Sequence, residues 1–190
     1  PMPAYSIPEP ETLLREIQAS HERCRQFGVD PNDTRNLLQN RLKPEELAVR
    51  LERNREFLEI ASEQIGELYQ FVADAGFAVN IADNEGYILH IIGDKPVLEE
   101  LAAGNCCPGY RWTEKDVGTS VISLALAREI PVQINDDEHF CRRGHGHTCS
   151  ASPVFDPDNQ LVGVIAMSGD AAKVHPHTLG MVITATPWVW

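Results

Sequence analysis

Between Pro44 and Ala73 apolar residues return in alternating steps of four and three at Leu47, Leu51, Leu58, Ala61, Ile65, Leu68 and Val72, with Asn54 in the same series. Charged residues fill most other positions between Glu45 and Glu59. That spacing predicts one long amphipathic helix over 44–75 whose seam serves either as a dimer contact or as the inward face of a domain helix. Upstream, Leu14, Ile17 and Cys24 stand close to helical spacing in a segment that ends at Gly28, and GVDPND follows as a turn. After Gly76 the period falls to two. FAVNIAD and YILHII flank Asn84-Glu85-Gly86 and predict an antiparallel hairpin. DKPVLEELAAG then reads as a short helix capped by Asp94 and stopped at Gly104. A second helix opens at Gly118-Thr119, with Thr119 as N-cap and Val121, Leu124 and Ala125 facing inward. IPVQIN, HTCSASPVF and QLVGVIAMS complete the strands, and His175-Pro176 begins a closing helix. Helices around a mostly antiparallel sheet are expected.

Composition narrows the function classes. With 16 Lys and Arg against 28 Asp and Glu, the 190-residue chain carries a net charge of −12, which repels phosphate backbones and argues against nucleic-acid contact by this segment. No run approaches the roughly 20 apolar residues of a membrane helix, and the first ten residues lack the pattern of a signal peptide. The chain is therefore expected to be cytoplasmic, with no membrane contact. Its five cysteines fall at no framework spacing, so free thiols in a reducing compartment are expected. The ends, Pro1-Met2 and TPWVW, read as trimmed or altered and carry no argument.

The densest chemistry lies in EHFCRRGHGHTCS. If EHFC and HTCS pair as antiparallel strands across Arg142–Gly146, then Cys141 faces His147 and His139 faces Cys149, all on one face. Two cysteines with two histidines are the donor composition of a tetrahedral zinc site and also suit iron or copper. A one-residue bulge would undo the set. The same neighbourhood reads as an organic-ligand pocket, with Trp112 as apolar wall and His139, Cys141, His147, Cys149 and Ser152 as polar contacts. Cys106 and Cys107 form an adjacent thiol pair, redox-sensitive or simply packed. Glu114, Gly118 and Thr119 are expected to be structural. No nucleophile elbow, phosphate-binding loop or metalloprotease motif is present, so no enzyme activity is expected.

Taken together, ASHERC with GVDP, RLERNREFLEIA, GFAVNIADNEGYIL, RWTEKDVGTS, EHF, CSASPVFDP, LVGVIAMSG and HPHTLGM resemble the GAF sensor domain of bacterial sigma-54-type transcriptional activators, the acetoin- and dihydroxyacetone-responsive kind. The likeness spans residues 12–181. It implies an α/β (α+β), GAF/PAS-like fold: a six-stranded antiparallel sheet, helices on one face, a ligand pocket on the other. It divides the chain into an N-terminal helical arm (1–43), a linking or dimerisation helix (44–75) and a GAF sensor domain (76–186). It also implies a small-molecule effector, and an ATPase and helix-turn-helix region that this segment does not contain; the homodimer is expected from the heptad seam instead. No cofactor is required by this reading; zinc or iron belongs to the alternative, a metal or thiol-redox sensor. A protein-docking domain is the third reading. Ser120, where the family usually has Asn, and Cys141, Gly144, His145 and Gly146, in a loop that usually lacks them, depart from the pattern and leave the effector open.

Overall fold

The structure is a computed structural model that describes residues 7–32 and 39–186. The terminal Pro1-Met2 and PWVW, and residues 33–38 of the arm, lie outside that range. Among the described residues no helix is long and apolar enough to cross a membrane.

Helix α1 (Pro10–Gln26) starts on a proline, whose fixed φ suits the first helical position. It buries Ile17, Ser20 and Cys24, whereas Leu14 is 50% exposed. The expected long helix is two: α2 (Pro44–Arg53) and α3 (Arg55–Gln70). The break falls at Asn54, whose side-chain amide donates to the Arg50 carbonyl at 2.9 Å, the local competition with helix bonding that asparagine offers. Phe57, Ala61, Ile65, Leu68 and Val72 then pack on the sheet, so this half of the heptad series is spent in the domain's own core.

Strands β1 (Phe77–Asp83), β2 (Ile88–Gly93), β3 (Val132–Asn135), β4 (His147–Phe155) and β5 (Leu161–Asp170) form one sheet in the order β2-β1-β5-β4-β3, every neighbouring pair antiparallel. It has five strands among the described residues, where the resemblance implied six. The β1–β2 turn is the expected one. Gly86 takes φ +91°, and Asp83 Oδ1 accepts from the backbone N–H of Glu85 and Tyr87, both at 3.0 Å. Between β2 and β3 lie α4 (Lys95–Ala103), the single turn α5 (Glu114–Val117) and α6 (Val121–Arg128); α7 (Pro176–Thr184) closes the chain. The N-cap of α6 is Ser120 rather than Thr119, and its hydroxyl accepts from the Ser123 N–H. Asp94 precedes α4 without capping it. Its carboxylate instead accepts from Tyr69 Oη at 2.6 Å and from the N–H groups of Asp74 and Gly76, tying the end of α3 to the sheet.

Helices cover both faces, not one. Successive strand residues point to opposite sides. Phe77, Val79, Ile81, Val154, Ile165 and Met167 meet α3 and α7, and Ala78, Ala82, Val132, Ile134, Cys149, Ala151, Val164 and Ala166 meet α1, α4 and α6. A second tie holds α1 down. The buried carboxylate of Glu114 accepts from Arg23 Nη2 and Ser20 Oγ, each at 2.6 Å, and Ser20 Oγ lies 2.7 Å from Thr119 Oγ1. Glu114 and Thr119 thus serve as struts under the arm, in keeping with their expected structural role.

Candidate functional site

On the α4/α6 side the sheet does not close fully against its helices. The gap holds about 60 Å³ open to the centre of a water-sized molecule, within about 530 Å³ not filled by protein atoms. Its floor is Asn80 of β1, Cys149 of β4, and Ala166 and Ser168 of β5. Leu101 and Ser120–Ile122 wall it from α4 and the start of α6, and Cys106 and Trp112 close it from the loop between them. The segment before β4 supplies His139, Arg143 and Gly144, and β4 itself begins with His147.

That segment is not the expected hairpin. Asp136–Glu138 and Arg142–Gly144 are single 3₁₀ turns, and strand pairing begins only at His147. Phe140 donates its N–H to Thr119 O and Arg142 donates to Pro31 O, so the segment is sewn to the turn before α6 and the turn after α1 rather than to β4. Gly144 presses against the His139 ring so closely that a Cβ would stand 2.6 Å from ring Cγ; only glycine fits. Two expected pocket residues lie elsewhere. Cys141 packs with Cys24 and Val29 under α1, outside the cavity. Ser152 pairs with Ile165 in β4–β5 and so lies on the α3/α7 face, because Cys149 and Ser152 are an odd number of residues apart. The four-ligand metal face therefore does not assemble, and among the described residues no three His, Cys, Asp or Glu side chains gather as a metal site. His139, His147 and Cys149 do meet at the cavity, with Trp112 as its wall; the indole Nε1 donates to Asn105 O at 3.2 Å.

The thiols are quiet. Burial pushes Cys149 up to about 11 and Cys106 higher still, and Cys106 and Cys107 diverge, one into the cavity and the other toward Tyr110 and Val117. Burial pulls His139 down to about 4, and its Nδ1 lies 3.0 Å from Asp136 O.

Polar atoms without partners are the distinctive feature. Asn80 Oδ1, both Nη atoms of Arg143 and both ring nitrogens of His147 are buried with no hydrogen bond, and all three residues line the cavity. His147 Nε2 comes within 3.3 Å of Glu100 Oε1 but is not aligned for a hydrogen bond. Buried polar atoms are nearly always satisfied, so a group of them around one void is an arrangement that ordered water or a polar ligand would complete.

The profile of the GAF domain matches residues 55–186. The chain belongs to the GAF domain family. It is 33% identical over 174 residues to a signal-transduction and transcriptional-control protein of Clostridium beijerinckii, covering 89% of this chain and 26% of that protein. It is 32% identical over 169 residues to the acetoin dehydrogenase operon transcriptional activator AcoR of Bacillus subtilis, covering 89% of this chain and 28% of that one. The chain thus spans little more than a quarter of these relatives. The crystal structure of the Escherichia coli DhaR(N)–DhaL complex superposes with a TM-score of 0.85 at 23% identity, over 90% of this chain and 58% of the matched chain, which shows a shared fold.

Within this GAF domain the residues that sequence reasoning missed are Asn80 and Arg143. Asn80 had a signal, a lone amide amid the apolar FAVNIAD strand; Arg143, in an exposed-looking RRG, had none.

Proposed function

We propose that this GAF domain is the effector-sensing module of a bacterial sigma-54-type transcriptional activator, with no catalytic activity of its own and a cytoplasmic location. The carrying observation is the partly open void bordered by Asn80, His139, Arg143, His147 and Trp112, small, largely apolar and edged with unpartnered polar atoms. A water needs about 10–15 Å³ of such space, so the void suits an effector of roughly four to six non-hydrogen atoms. Regulation requires the effector to bind one arrangement of the domain better than another, which is then transmitted to the ATPase and DNA-binding regions that the resemblance implies. Thermal-shift measurements with a panel of small alcohols, ketones, aldehydes and acids test this. A saturable rise in melting temperature with at least one compound is expected, and no rise with any of them well above plausible affinity would remove the reading.

A homodimer is proposed as well, through the outer side of α2 and the end of α3, where Val49 is 72% and Phe71 82% exposed. One observation favours a docking role beside sensing: DhaR(N), of like fold, was crystallised in complex with DhaL.

A further inference from the structure

The void is charged as well as polar. Arg143 reaches the Cys141 thiol with its side chain and turns its guanidinium inward past Cys106 toward the cavity, where neither Nη meets an oxygen acceptor. No ion pair engages it among the described residues, and the sole carboxylate on the cavity wall, Glu100, is 66% exposed and stands beside His147. A guanidinium is a permanent cation with a planar fork of donors shaped for carboxylate. Burying it without a counter-charge is costly, and a neutral alcohol or ketone entering the void would leave that cost standing. The remaining unpartnered atoms ask for something different. Asn80 Oδ1 is an acceptor, only 1% of the residue being exposed, and the His147 ring offers one donor and one acceptor when neutral. They suit a hydroxyl at the far end of the same small molecule, which can donate to Asn80 Oδ1 and meet the His147 ring as well.

We propose that the effector is a small carboxylate bearing a hydroxyl, a hydroxy acid of about six non-hydrogen atoms, its carboxylate on Arg143 and its hydroxyl donating to Asn80 Oδ1 beside the His147 ring. This rests on the sensor reading and narrows it, away from the neutral diols and ketols that the resemblance brings to mind. Arg143 is then the residue that sets the effector's charge.

The experiment compares matched pairs by isothermal titration calorimetry on the full 190-residue chain: lactate with lactamide and propane-1,2-diol, glycerate with hydroxyacetone and dihydroxyacetone, and acetoin beside them. The acid of at least one pair is expected to bind about 10- to 100-fold tighter than its neutral counterpart, the difference a hydrogen-bonded charge pair makes. R143Q should lose about that factor for the acid while changing the neutral compound by less than about two-fold, and R143K should recover part of it. Because the acid-against-amide comparison needs no variant, a poorly folded R143Q does not blunt the test. Neutral compounds binding as tightly as their acids would overturn the carboxylate inference and leave the sensor reading intact. Silence from every compound, in calorimetry and in Trp112 fluorescence alike, would remove both.

Discussion

At the scale of single residues the cavity trades stability for recognition. An unpaired buried cation is a liability in the empty protein, so Arg143→Met, of similar length and without charge, is expected to raise the melting temperature of the ligand-free domain by an amount corresponding to about 1–2 kcal/mol, while ending its response to ligand. A lower melting temperature, measured by calorimetry, would mean that Arg143 is paired after all. His139 gives a pH signature. Its ordinary value is 6.5 and its folded value about 4, so between those limits the unfolded chain takes up a proton that the folded chain refuses. Stability is therefore full above about pH 6.5 and falls as pH drops toward 4, by at most about 3 kcal/mol. Urea midpoints across that range should show the slope, and His139→Gln should flatten it. Part of the cavity lining was legible in the sequence: Trp112, His139, His147 and Cys149 border one void, though not through the hairpin expected to bring them there. The place of Cys141 was not, because the 3₁₀ turns before His147 take it out of any pairing with β4, whereas the face of Ser152, three residues from Cys149 on one strand, followed from parity and was misassigned.

At the scale of elements the decisive interactions join segments far apart in sequence. Arg23 on α1 satisfies the buried Glu114, and Arg50 on α2 reaches the buried Asp83 at 2.6 Å with its guanidinium over the Tyr87 ring. Removing one partner of such a pair strands a carboxylate, so Arg23→Ala is expected to cost about 3–5 kcal/mol and to expose α1 to limited proteolysis while the sheet stays protected. Simultaneous cleavage of α1 and the sheet would show instead that the arm and the sheet unfold as one unit. Strand and helix identities were readable from periodicity because each element buries a face, which forces a repeat of two or 3.6. The break at Asn54 and the pairing of Glu114 with Arg23 were not, since a side-chain bond to a carbonyl and a contact across 91 residues leave no local periodic trace.

At the scale of the whole molecule the two faces of the sheet divide the work. One face holds the void; the other carries α3 and α7, with Phe71 exposed beside the groove between them. If that outer side is the dimer contact, Phe71→Asp should yield a monomer by light scattering at concentrations where the parent chain is a dimer, with little change in melting temperature of the isolated subunit. A parent chain that is already a monomer would end the dimer proposal. The unpartnered atoms of Asn80, Arg143 and His147 have a last consequence, one that concerns the cell rather than the fold. A core finished only by its effector unfolds more often when the effector is scarce: occupancy at about 100 times the dissociation constant deepens the native well by about 2.7 kcal/mol, and the unfolded fraction open to proteases shrinks about 100-fold. On the proposed sensor reading, the steady-state amount of the protein then rises and falls with its effector, so that turnover itself reports supply.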